Sequence, residues 1–190
     1  MALVAAGVLF VVTGASSARS FSLTEAGFAA GWRSMSFTMS GTTLRCQVYM
    51  EGSFASRTLA KVVGSHVGSV EIAFATEGIC TGGSATVKEE TLPWNVEYNS
   101  FTGTLPNITG LKLEVIGTGF KTEVSGLRCE FLTSTREPLM MRITVSSGAM
   151  RELEPLREST IRGSGFLCET AALSGVDSPG EIGPITITLI

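Results

Sequence analysis

Apolar and polar residues alternate along most of the chain with a period of two, the pattern that sets one face of a β-strand on a core and turns the other outward. Leu44, Cys46, Val48 and Met50 alternate with Arg45, Gln47, Tyr49 and Glu51. Trp94, Val96 and Tyr98 alternate with Asn95, Glu97 and Asn99, and Val70, Ile72 and Phe74 follow the scheme less cleanly. Further runs are Leu111–Leu113–Val115, Leu127–Cys129–Phe131, Leu139–Met141–Ile143–Val145 and Ile185–Ile187–Leu189. Between them lie "TGTLPNITG", "SSGA" and "SGVDSPG", whose Gly, Pro, Asn and Ser suit tight turns that need a positive or preset φ.

Strands at this spacing predict an antiparallel β-sandwich of about eight to eleven strands, with a closed β-barrel as the alternative. Two stretches offer a helix instead. Ser56 could cap a short run to Val63, and "AMRELEPLRE" from Ala149 has helical character interrupted by Pro155. The β-branched last strand, "ITITLI", is expected inside a sheet, because a bare edge of that composition invites aggregation.

The first twelve residues, MALVAAGVLFVV, form an apolar run too short for a bilayer span, and small polar residues follow up to Ala18. Residues 1–18 therefore read as a signal peptide, although no Lys or Arg precedes Arg19. Residues 19–190 then form a single domain, secreted or on the exterior of the cell envelope.

In an exported chain, Cys46, Cys80, Cys129 and Cys168 read as two disulfides, since an oxidising compartment leaves few thiols free. No Cys-x-x-Cys spacing favours zinc. Loop entropy hardly separates the connectivities, but the surroundings of the cysteines repeat. "SGTTLRCQVYM" around Cys46 resembles "VSGLRCEFL" around Cys129, and each is followed by a cysteine after a glycine-rich approach, Cys80 in "TEGICTGGS" and Cys168 in "GSGFLCETA". Two related halves, about 35–100 and 110–190, would each close their own bridge, Cys46–Cys80 and Cys129–Cys168.

A formal net charge of −3 and dispersed Lys and Arg argue against a nucleic-acid partner, and no basic amphipathic stretch or second apolar run suggests a membrane. The inventory for catalysis is thin. One histidine, His66, and one aspartate, Asp177, sit in unrelated turn contexts without a nucleophile elbow, so no catalytic triad, metal centre or cofactor site is expected. Glutamates are plentiful, and Glu89, Glu90 and Glu97 lie nearest the aromatic stretch "TLPWNVEYNSFTG", which keeps a two-carboxylate glycan hydrolase open. Trp94 and Tyr98 share a strand face that is either core or, with Glu97 beside it, a platform for stacking on sugar rings. His66 reads as a surface or turn residue, and Asn107-Ile108-Thr109 as a turn that happens to match a glycosylation acceptor.

With the phrases "SGTTLRC", "EGSFASRTLAKVVG", "CTGGSA", "ETLPWNVEYNSFTGTLPNITG" and the terminal "TITLI", the chain resembles a group of secreted β-rich proteins of actinobacteria that have no assigned activity. The resemblance implies export from a bacterial cell and transfers no functional residue. The expected function is a non-enzymatic structural or binding module, with cell-wall polysaccharide or self-association as candidate partners; a glycan hydrolase and a self-assembling surface protein are the alternatives.

Overall fold

A computed structural model describes residues 20–39, 41–76, 80–156, 160–164, 168, 170–174, 180–182 and 185–190. The expected leader, 1–18, and Asp177 lie outside them. In chain order the first eight strands are β1 (Ser20–Leu23), β2 (Gly27–Met39), β3 (Thr42–Phe54), β4 (Thr58–Ala60), β5 (His66–Ala75), β6 (Ser84–Val87), β7 (Trp94–Thr104) and β8 (Asn107–Ile116). The second eight are β9 (Gly119–Val124), β10 (Leu127–Leu132), β11 (Leu139–Ser146), β12 (Ala149–Pro155), β13 (Thr160–Ser164), β14 (Thr170–Ser174), β15 (Gly180–Ile182) and β16 (Ile187–Leu189). Among the described residues one 3-10 turn, Glu89–Thr91, interrupts them. The chain is thus all-β with antiparallel sheets and two disulfides, as the alternation predicts, with more and shorter strands than the periodicity alone resolves.

The main sheet curls on itself. Strands β15-β12-β11-β8-β7-β5-β3-β2 are neighbours in that order, and β15 pairs with β2 as well as β12, so eight strands follow one another round a ring. All eight send apolar side chains inward, among them Met50, Val70, Val96, Leu113, Met141 and Ile182, and only about 20 Å³ is left unfilled at the centre. That is room for roughly one water and for no ligand. Where the short β15 bridges β2 and β12, the buried Trp32 indole N–H donates to the Leu153 carbonyl (2.9 Å), a second tie across the seam.

Strand β2 serves two neighbours. Its first half pairs with β15; beyond an irregularity between Trp32 and Met35 its second half pairs with β14, which leads on to β13, β10, β9 and β6. The segment before β6 returns to β3 through mutual Arg45–Thr81 backbone bonds (3.1 and 2.8 Å), rounding off a second, smaller ring on the same β2–β3 hairpin. Phe37 and Phe120 pack at 5.3 Å within it, and Trp94 of β7 meets Phe120 at 5.6 Å, so one hydrophobic core runs through both rings. A three-stranded sheet, β16-β1-β4, brings Phe21 against Tyr98 and Phe101.

Both disulfides belong to the second ring. Cys46 pairs with Cys80 beside the Arg45–Thr81 bridge, and Cys129 of β10 pairs with Cys168 just ahead of β14. This is the connectivity the repeat implies. The two Leu-Arg-Cys phrases also share a local cause: each opens a strand after a turn whose glycine, Gly41 or Gly126, takes the left-handed backbone.

Both helical candidates are strands. Thr58–Ala60 pairs with β1, and Ala149–Pro155 pairs with β11. In β12 the register slips at Arg151, so Met150 and Leu153 both point inward three residues apart, and a β-bulge imitates helical spacing. The same device alters β5. Glu51 lies opposite Ile72 and Gly52 opposite Val70, which leaves Glu71 as the extra residue and reverses the phase beyond it. Ala73 and Ala75 are therefore buried, while Ile72 and Phe74, read from alternation as core-facing with Val70, stand 50% and 48% exposed. The last strand, β16, forms the margin of the three-stranded sheet but is not bare, since Ile187 N–H bonds to Gly148 O (2.7 Å) and Thr186 bridges to Ala149.

Candidate functional site

The exposed pair Ile72 and Phe74 leads to a depression in the outer wall. On β3 the outward positions are Tyr49, Glu51 and Ser53; their partners on β2 are Gly31, Ala29 and Gly27. On the other side, Phe74 lies opposite Tyr49 and Ile72 opposite Glu51. Because β2 offers almost no side chain on this face, the sheet surface drops there. A depression of about 390 Å³ results, lined by Gly27, Phe28, Ala29, Gly52, Ile72 and Ile185 and by the three glutamates Glu25, Glu51 and Glu71. This volume falls in the range of small-ligand sites.

Local bonds orient these groups. The Tyr49 hydroxyl donates to Glu51 Oε1, and the Tyr49 and Phe74 rings lie 5.2 Å apart. Ser53 and Ser69 both donate their hydroxyls to Glu71 Oε1 (2.9 Å each), which holds the bulge carboxylate against the sheet. The hydrogen bond to Glu51, helped by burial and by the charge of that carboxylate, holds the Tyr49 phenol above its ordinary range. Among the described residues none of the three carboxylates takes part in an ion pair. The depression is therefore an apolar floor with an uncompensated acidic rim.

The residues singled out by composition lie elsewhere. Trp94 and Tyr98, weighed as a ligand platform, are 0% and 4% exposed and belong to the core; burial raises the Tyr98 phenol pKa. Trp94 is accommodated because its indole N–H reaches Thr91 Oγ1 at 2.8 Å, so its only polar atom is satisfied without water. The platform reading is corrected accordingly. Glu97 points to the opposite face, half-buried, where it accepts from Asn95 Nδ2 (2.7 Å) and lies across from Glu114. The three residues do not converge.

Glu89 and Glu90 occupy the 3-10 turn, where Glu90 faces Lys121 (3.5 Å) and Lys88 (3.8 Å), and Lys88 also pairs with Glu130 (2.6 Å). Backbone hydrogen bonding and these lysines lower the Glu90 pKa; the hydrogen bond from Lys88 lowers that of Glu130 and raises that of Lys88. Glu89, Glu90 and Glu97 thus have separate surroundings rather than a shared cleft. His66 is exposed at the start of β5, bonded through Nδ1 to Asn95 Oδ1. Among the described residues no group of three or more His, Cys, Asp and Glu side chains is placed to hold a metal ion, and no helix is long and apolar enough to cross a membrane. Neither a family model, nor a curated protein, nor a solved structure matches this chain.

Proposed function

We propose that the protein is an exported, non-enzymatic binding module that takes its ligand in the outer-wall depression of β2, β3 and β5. One observation carries this reading: a concavity of about 390 Å³ with an apolar floor, three carboxylates and no ion pair among the described residues stands on a rigid wall whose interior is filled. Two disulfides and the lack of a membrane-crossing helix among the described residues are compatible with an extracellular location. The resemblance to secreted bacterial proteins supports export.

Gly27 provides the test. A Cβ there meets nothing within 4 Å and the backbone is not left-handed, so Gly27→Leu fills the depression without straining the strand. Binding to insoluble cell-wall polysaccharide and to immobilised acidic, neutral and basic peptides is measured for both proteins. A ligand bound by the wild type and lost in Gly27→Leu, with circular dichroism and Tm unchanged, supports the reading. Retention of all binding in the filled variant, or no binding by the wild type, sinks it.

The three carboxylates also favour a second reading, the glycan hydrolase, moved from Glu89, Glu90 and Glu97 to Glu51 and Glu71. Release of new reducing ends from the polysaccharide, abolished by Glu51→Gln or Glu71→Gln, would establish it. Absence of turnover leaves binding alone.

A further inference from the structure

We propose that the occupant of the depression is an arginine side chain presented by a polypeptide partner, an inference that rests on the binding-module reading above. Charge complementarity selects it. Glu25, Glu51 and Glu71 line one depression without an ion pair among the described residues, and three like charges around one concavity favour a cation as its occupant. Hydroxyls of a neutral glycan could accept or donate hydrogen bonds here, yet would leave those charges uncompensated. An anionic wall polymer would be repelled. A second copy docked by a two-fold axis would set the same three carboxylates face to face, since such a contact uses one patch on both chains.

The apolar part of the site narrows the cation. A small inorganic ion has no use for a floor of Gly27, Ala29, Gly52 and Ile72, whereas the methylene stem of a basic side chain covers apolar surface while its head stays among polar groups. One outward position along β5 from Ile72, flanking the depression, stands Phe74, 48% exposed and packed on Tyr49, whose hydroxyl bonds Glu51. A planar guanidinium stacks on such a ring and forks onto a carboxylate at the same time; an ammonium does neither as well. Glu51 has one oxygen engaged by Tyr49, and Glu71 has one engaged by Ser53 and Ser69, so each carboxylate is held in place while its other oxygen carries no described bond.

The test is an NMR titration of the ¹⁵N-labelled full domain with acetyl-Gly-Arg-Gly-amide, its lysine and citrulline counterparts, and a soluble cell-wall oligosaccharide. The arginine peptide is expected to shift the amides of Gly27, Ala29, Gly31, Glu51 and Ile72, with affinity falling severalfold as salt is raised to about 0.5 M. The uncharged citrulline peptide should bind at least about tenfold more weakly, and Glu51→Gln and Glu71→Gln should each weaken the arginine peptide by about two- to fivefold. Gly27→Leu should abolish the shifts. Citrulline binding as tightly as arginine overturns the charge argument, and lysine binding as tightly overturns the choice of arginine. Shifts at the depression with the oligosaccharide but not with the arginine peptide overturn this proposal and leave the binding-module reading standing; no shift with any probe removes both.

Discussion

Replacing Trp94 separates the two roles an aromatic residue in a polar stretch could have. Its side chain is fully buried, its ring lies 5.6 Å from that of Phe120, and its indole N–H is bonded to Thr91 Oγ1. Truncation to alanine removes the transfer free energy of the indole and leaves a cavity at the junction of the two rings, together about 3–5 kcal/mol. No orphan donor adds to this, because the Thr91 hydroxyl still reaches the Lys88 carbonyl at 2.7 Å. Trp94→Phe keeps most of the contact with Phe120 and should cost about 1–2 kcal/mol. Against a total of about 5–15 kcal/mol, Trp94→Ala takes from about a fifth of the stability to all of it. Urea unfolding followed by far-UV circular dichroism should show a midpoint lowered by about 2 M for Trp94→Ala with an unchanged slope. Trp94→Phe should retain ligand binding at the outer wall. A Trp94→Ala protein within about 1 kcal/mol of the wild type, or a folded Trp94→Phe that loses ligand binding, would refute the placement of this residue in the core.

Two further outcomes follow from polar groups held by the fold. The chain has two tyrosines and both phenols are held above the ordinary range, Tyr49 chiefly by its hydrogen bond to Glu51 and Tyr98 by burial. Phenolate absorbance should therefore rise only above the pH at which a free phenol ionises, about 10, and Glu51→Ala should return Tyr49 alone toward that value. Since both folded values lie above the unfolded one, their contribution to stability is complete below about pH 10 and is lost as pH rises through the folded values. A native titration indistinguishable from free tyrosine would contradict both assignments. Thr118 and Thr133 form a buried pair in which the Thr118 backbone N–H donates to Thr133 Oγ1 (2.8 Å) and the two hydroxyls meet at 2.9 Å. Thr133→Val leaves that N–H without an acceptor and should cost about 1–3 kcal/mol in urea unfolding, with Thr133→Ser recovering most of it; equal stability of the two variants would show that the pair carries no weight.

Strands with unbroken alternation, such as β3, β11 and the first half of β7, are legible from residue type alone. Where a bulge adds one residue, the apolar spacing becomes three and the period-two reading turns the wrong side chains inward, as it does for Ile72 and Phe74, or suggests a helix, as it does for Met150 and Leu153. The depression was hidden for a related reason. Tyr49 and Glu51 are visible as the polar positions of β3, and Gly27, Ala29 and Gly31 as small residues on a second strand, but only the register sets Gly31 directly beside Tyr49 and Ala29 beside Glu51. An unusual residue draws attention to itself, whereas a concavity arises from side chains that are missing. Composition accordingly pointed to Trp94, which is buried, and passed over three glycine and alanine positions that shape the surface.

The placement of the disulfides bears on how such a surface is kept. Among the described residues, β13 pairs with β10 through Ser164 and Gly163 and with β14 through Thr160, Ile161 and Arg162, and the Arg45–Thr81 bridge joins β3 to the segment before β6. Cys46–Cys80 lies beside the Arg45–Thr81 bridge, and Cys168 abuts the β10–β13 pairing, where its carbonyl would sit 2.2 Å from a Cβ on Gly163. With their cysteines 34 and 39 positions apart, the bridges each remove about 4 kcal/mol of unfolded-chain entropy in the loop-closure account. The stabilised ring shares the β2–β3 hairpin with the first ring, and the outer face of that hairpin carries the depression. On its β2 side the floor of that depression is the backbone and Cβ atoms of Gly27 and Ala29, which have no side-chain rotamers with which to correct a shift in strand spacing. Stapling the far half of the hairpin therefore fixes the geometry of a site that contains neither disulfide.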